Sequence, residues 1–175
     1  MCSGQRLQPV SNVAFAALSS GALVATVVDI RVRRIPNALT ATMAGVGVGL
    51  AASGISGVTL AGSVLGFIVG FALMLPGHAL GATGAGDVKF MAAVGAIIGP
   101  AMVVSAFLFT AVAGGVLALA VAIRRRRLTA TIAGTGRLIA APGDVKKEIQ
   151  AATVSSRFAY GPAIAIGSVL AALIG

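Results

Sequence analysis

The sequence predicts an all-α integral membrane protein: a bundle of about six transmembrane helices, N-terminus outside, with the polar loops that carry its candidate chemistry on the cytoplasmic side. Three observations predict this. Of 175 residues, 58% are hydrophobic and only 10% charged, and mean hydropathy is +1.03, whereas a soluble domain keeps about 25% charged residues. The apolar runs approach the ~20 residues that span a bilayer. The positive charges gather at alternate ends of those runs, as orientation in a membrane requires.

The first run, Val13 to Val28, is extendable through Ser11 and Asn12 and ends at Asp29. Ile30 to Asn37 carries Arg31, Arg33 and Arg34, then Ile35-Pro36-Asn37, where proline suits the first turn of a new helix because its missing N–H would be unpaired there anyway. A second helix follows over 38–52, then an uncharged turn, Ser53 to Gly57. The third spans 58–75 and sets Gly62, Gly66 and Gly70 four residues apart, a small-residue face on which another helix can approach closely. Gly45 and Gly49 repeat that spacing on the second helix. After Pro76 comes a loop, Gly77 to Gly86, and then a short apolar stretch, 88–99, interrupted only by Lys89. Twelve residues rise about 18 Å, well under the ~30 Å hydrocarbon thickness, so either the bilayer thins or the helix starts in a wet recess at Asp87. Pro100 opens a fifth run, 101–123, which ends at Arg124-Arg125-Arg126-Arg127. A polar segment to Arg157 precedes the last apolar run, which starts near Phe158 with Pro162 in its first turn.

Six crossings with the first loop inside put every positive charge except Arg6 on the cytoplasmic side, so the net charge of +9 reflects orientation. A nucleic-acid partner is excluded, because that reading needs a soluble basic face with aromatic platforms, and the seven Phe and one Tyr lie mostly inside apolar runs. The expected surroundings are the lipid bilayer of a bacterial or archaeal cytoplasmic (inner) membrane, crossed several times. The single cysteine, Cys2, leaves no intrachain disulfide and no cysteine-cluster zinc site, and we expect neither metal nor cofactor. The first run imitates a signal peptide, but its stronger positive flank lies at the C-terminal end.

The chain has four acidic residues, Asp29, Asp87, Asp144 and Glu148, and the first two fall where apolar segments meet polar ones on the same expected face. Two explanations compete. In one, Asp29 pairs with Arg31, Arg33 or Arg34 and Asp87 with Lys89, as solvated interface charges. In the other the two carboxylates meet; held close at low dielectric they cannot both ionise, which supplies an acid and a base together. That arrangement suits aspartyl proteolysis, one carboxylate taking a proton from water while the other hydrogen-bonds the peptide carbonyl. Gly84 and Gly86 beside Asp87 leave room for an extended substrate strand.

Asp29 followed by Arg34-Ile35-Pro36-Asn37, then Gly84-Ala85-Gly86-Asp87-Val88-Lys89, then Tyr160-Gly161-Pro162-Ala163-Ile164-Ala165, resembles the type IV prepilin peptidase family, membrane aspartyl proteases of the Gly-x-Gly-Asp type. The resemblance implies a single membrane peptidase domain over 1–175, with 124–157 as a cytoplasmic loop, that removes the basic leader from prepilins at the cytoplasmic face, commonly after a glycine. It implies that Asp29 and Asp87 are catalytic and that Pro36, Asn37, Gly84, Gly86, Lys89, Tyr160, Gly161 and Pro162 shape or line the site. Bifunctional members carry an extra cytoplasmic domain, often with paired Cys-x-x-Cys motifs, and methylate the new N-terminus; one cysteine and no room for such a domain point instead to the peptidase-only members of Flp or tight-adherence pilus systems. Oligomeric state is not legible.

Two decoys stand beside these residues. Gly143-Asp144-Val145-Lys146 repeats Gly86-Asp87-Val88-Lys89, but Ala141 replaces the first glycine and the segment reads as a solvated helix start with local ion pairs. His78 is the only histidine and is assigned no role. From other functional classes, a proton- or ion-coupled transporter could use Asp29 and Asp87 as a relay, and a silent scaffold would need neither. No repeat of two similar halves supports the transporter.

Overall fold

A computed structural model describes residues 11–32, 34–80, 83–124 and 160–174, which form five helices: α1 (Asn12–Val32), α2 (Asn37–Ala52), α3 (Leu60–Ala79), α4 (Ala85–Arg124) and α5 (Gly161–Ile174). The expectations about Cys2, Arg6, Arg33 and the 124–157 loop beyond Arg124, with Asp144, fall outside the described residues. All described secondary structure is helical, as expected. Three stretches are long and apolar enough to cross a membrane: Asn12–Val32, Leu60–Ala79 and Ala85–Leu117. The helices α2 and α5, 16 and 14 residues, are apolar but shorter.

Local signals set the boundaries. Ser11 Oγ accepts the N–H of Ala14 at 3.2 Å and opens α1. The helix then runs through Asp29 to Val32, so Asp29 lies in its last turn and not at its end. Pro36 stands just outside α2 as the N-cap, in extended backbone, and its carbonyl accepts from Leu39 and Thr40. Thr59 caps α3 by accepting the N–H of Gly62 at 3.0 Å. The expected stop at Pro76 does not hold: α3 continues to Ala79, with Pro76 in its last turns accepting the N–H of Leu80. Residues 77–79 are therefore helix, and the connection to α4 shrinks to 80–84.

The break at Pro100 is where the sequence places it, but no loop separates the two apolar runs. Gly99 alone departs from helical geometry, at φ 80° and ψ 175°. Proline pushes the residue before it to extended ψ, and a positive φ with such ψ is open essentially to glycine. The second arm bends back sharply: a Cβ on Gly95 would stand 3.2 Å from Val103 Cγ2, eight residues on, where a straight helix would carry them about 12 Å apart.

That bend puts the first arm of α4 in the middle of the molecule. Phe90, Met91, Val94 and Ile97 are fully buried, and the run 90–99 is buried throughout. Enclosure answers the question of its length: residues 85–98 rise about 21 Å, and an arm wrapped in protein need not match the bilayer. Around it, the buried face of α3 is Ser63, Gly66, Gly70 and Met74, and that of α2 is Thr40, Met43, Gly47 and Ala51. Gly66 and Gly70 behave as their spacing predicts, lying against the α4 backbone at Gly95 and Met91. Ser63 Oγ adds a buried hydrogen bond of 2.7 Å to the Ala96 carbonyl. On α2 the expectation fails. Gly45 and Gly49 have nothing within 4 Å of a built Cβ, while Gly47 would meet the Ala96 carbonyl at 2.9 Å. Lipid tails give apolar side chains no reason to prefer a neighbouring helix, so close backbone approach and its dispersion energy hold this bundle together.

Candidate active site

Every connection that carries a motif lies at one end of the bundle: the end of α1, the starts of α2 and α4, and the start of α5. Two aspartates sit there, both buried, Asp29 at 5% and Asp87 at 9% exposure. Each is held by the amide of a glycine at a helix N-terminus, where backbone N–H groups have no partner within the helix. Asp29 Oδ2 accepts the N–H of Gly161 at 2.9 Å, across 132 residues of chain, and Asp87 Oδ2 accepts the N–H of Gly84, also at 2.9 Å. The second contact is one half of a capping box: Gly84 is the cap of α4, and the acid three residues on reaches back to its amide. Asp29 stands near Asp87, and Asp87 near Tyr160, at this end of the bundle.

The glycines are places where other groups come in. A Cβ on Gly161 would lie 2.6 Å from Asp29 Oδ2 and 3.0 Å from Asp29 Cβ, so α5 can donate to Asp29 only with glycine at its first position. A Cβ on Gly84 would sit 3.2 Å from Asp87 Oδ2. The space at Gly86, expected to admit a substrate strand, is taken by the chain itself: Ile35 Cβ would be 3.2 Å from a Cβ there. Ile35 is buried, so Arg34-Ile35-Pro36-Asn37 packs directly on Gly84-Ala85-Gly86-Asp87. A hydrogen bond of 2.9 Å from Lys89 Nζ to Asn37 Oδ1 joins the same two segments. Lys89 is thus directed at Asn37, where an interface pair would have aimed it at Asp87. Arg31 and Arg34 are exposed. Tyr160 places its hydroxyl against Gly114 on the second arm of α4, 2.6 Å from where a Cβ would stand, and Pro162 follows in the first turn of α5.

All ten residues singled out in the sequence therefore stand in or beside one cluster. Sequence reasoning missed how the third motif connects to the first: nothing in Tyr160-Gly161-Pro162 announces that its amide faces a carboxylate on α1. The close approach gives a direct expectation. Gly161→Ala displaces Asp29 while leaving both carboxylates in the chain, and any activity that depends on their geometry falls about 10²-fold, measured as kcat at saturating substrate.

Two buried carboxylates oriented by amides, at the end of an apolar bundle, can move protons between a water and a bound carbonyl compound. Among known proteins, a family model described as the type IV leader peptidase family matches residues 16–119, which takes in Asp29, Pro36, Asn37 and the segment 84–89 but stops before Tyr160. No curated protein and no solved structure matches the chain.

Proposed function

Because this chain belongs to the type IV leader peptidase family, we propose that it is a membrane aspartyl endopeptidase that removes the basic leader from Flp-like type IV prepilins at the cytoplasmic face, with Asp29 and Asp87 as its catalytic pair. The observation that supports this reading is the pair itself: carboxylates from α1 and α4 at one end of the bundle, both buried and each oriented by a glycine amide. In the proposed reaction the ionised member takes a proton from water as its oxygen adds to the scissile carbonyl carbon. The protonated member donates to the carbonyl oxygen. Collapse of the tetrahedral intermediate passes a proton to the leaving nitrogen and breaks the C–N bond, giving one acid and one amine. Asn37 and Lys89 hold the first turn of α4, which carries Asp87, against the start of α2, and Gly161 holds Asp29.

Orientation belongs to the same proposal. The end of the bundle with both aspartates also carries Arg31, Arg34 and Lys89, so six crossings in a bacterial or archaeal cytoplasmic membrane would place it inside, with the N-terminus outside. The product is a peptide cut only; with one cysteine in the sequence there is no counterpart of the paired Cys-x-x-Cys motifs, and we propose no N-methylation step. The family match lends no support to the ion-relay alternative.

The test is cleavage of short prepilins encoded near this gene by the purified protein in detergent or liposomes. One cut, releasing the basic leader, is the expected result; intact precursor across the set overturns the assignment of substrate.

A further inference from the structure

We propose that His78, at the end of α3, is a positioning residue for Asp87; the inference rests on the peptidase reading for its kinetic consequence and on geometry alone for the contact. Thr83, two residues before α4, is fastened back onto the last turn of α3. His78 Nδ1 lies 3.0 Å from the Thr83 carbonyl, and the Thr83 N–H donates to the Gly77 carbonyl at 3.3 Å. A carbonyl only accepts, so Nδ1 carries the proton. Both sides of the Thr83 residue are thus held by α3, and its side chain lies against Gly77, where a Cβ would meet it at 3.3 Å.

The next residue is Gly84, whose N–H is the donor to Asp87 Oδ2. The peptide that His78 grips through its oxygen is the one that presents its nitrogen to the carboxylate, because the Thr83 C=O and the Gly84 N–H belong to one planar unit. Rotation of that plane turns both ends together. An imidazole fixed to the oxygen therefore sets the direction of the N–H, and the N–H sets the direction of Asp87. His78 touches neither substrate nor the reacting atoms, and its effect passes through this one peptide.

The contact makes a specific demand on side-chain shape. Asparagine places an amide N–H near the position of Nδ1, glutamine places one near Nε2, and alanine places none. Steady-state cleavage and hydrogen exchange at the Gly84 amide, in the full-length protein in detergent, should be measured for wild type, His78→Asn, His78→Gln and His78→Ala. We expect kcat to fall roughly 3- to 10-fold for His78→Ala and His78→Gln with KM unchanged, and Gly84 exchange to quicken by a similar factor. His78→Asn should restore both to within about twofold. If His78→Ala exchanges and turns over like wild type, or if His78→Asn is as impaired as His78→Ala, the positioning role is wrong. If no protein, wild type included, cuts any precursor while the exchange pattern appears as expected, the contact stands and the assignment of a prepilin substrate falls.

Discussion

Asp29→Asn and Asp87→Asn each reduce leader cleavage by about 10³-fold or more while leaving the protein folded. The choice of asparagine makes the result informative. Each aspartate has a structural duty beside the chemical one proposed for it: Asp87 caps α4 by accepting from Gly84, and Asp29 accepts from Gly161 and so joins α1 to α5. An asparagine oxygen can accept both of those bonds, so the caps survive. What is lost is the carboxylate that ionises, and with it the base or the acid of the pair. Truncation to alanine would confound the two, because removing a buried acceptor leaves an amide unpaired at about 1–3 kcal/mol. Cleavage rates read beside thermal stability separate the readings. Normal stability with no cleavage assigns the carboxylates to the reaction, whereas full activity in either asparagine variant would falsify the aspartyl mechanism and leave the residues as helix caps. If the pair acts as the proposed unit, the double variant should be no worse than the more impaired single one.

Much of this arrangement is legible in the sequence. Hydropathy runs located the helices, and the charge pattern singled out the end of the bundle that holds both aspartates. The failures share a cause: local patterns state what a segment can do, and packing decides which option is taken. Pro76 is a valid helix stop by sequence, yet α3 runs on to Ala79. The stretch Gly45-Val46-Gly47-Val48-Gly49 offers two small-residue faces half a turn apart, and only the position of α4 selects Gly47. Gly86 reads as space for a ligand until Ile35 is found filling it. The tie between Gly161 and Asp29 spans 132 residues, and no local spacing rule reaches that far.

The packing that does the selecting can be tested at its tightest point. Gly66 on α3 and Gly95 on α4 meet backbone to backbone, and a Cβ built on either lands on the carbonyl of the other. No flexible side chain can yield there, so relief requires the helices themselves to separate. Gly66→Ala and Gly95→Ala should each cost on the order of 2–3 kcal/mol, the upper part of the range for overpacking, and Gly66→Leu should prevent α3 from docking at all. Gly70→Ala, with the Met91 carbonyl 2.5 Å from its Cβ, should behave like the first two. Gly45→Ala and Gly49→Ala, with nothing within 4 Å, should leave stability unchanged or raise it slightly, since alanine is the better helix former. Thermal unfolding in one detergent, followed by loss of the monodisperse species, orders the five alanine variants. Equal behaviour at positions 45 and 66 would mean that glycine spacing alone, and not the contact with α4, governs the bundle. The contact also bears on the site: the first arm of α4 is held along its length by Gly66 and Gly70 and carries Asp87 at its start, so Gly70→Ala, the closer of the two to Asp87, should lose cleavage at temperatures where the protein is still folded.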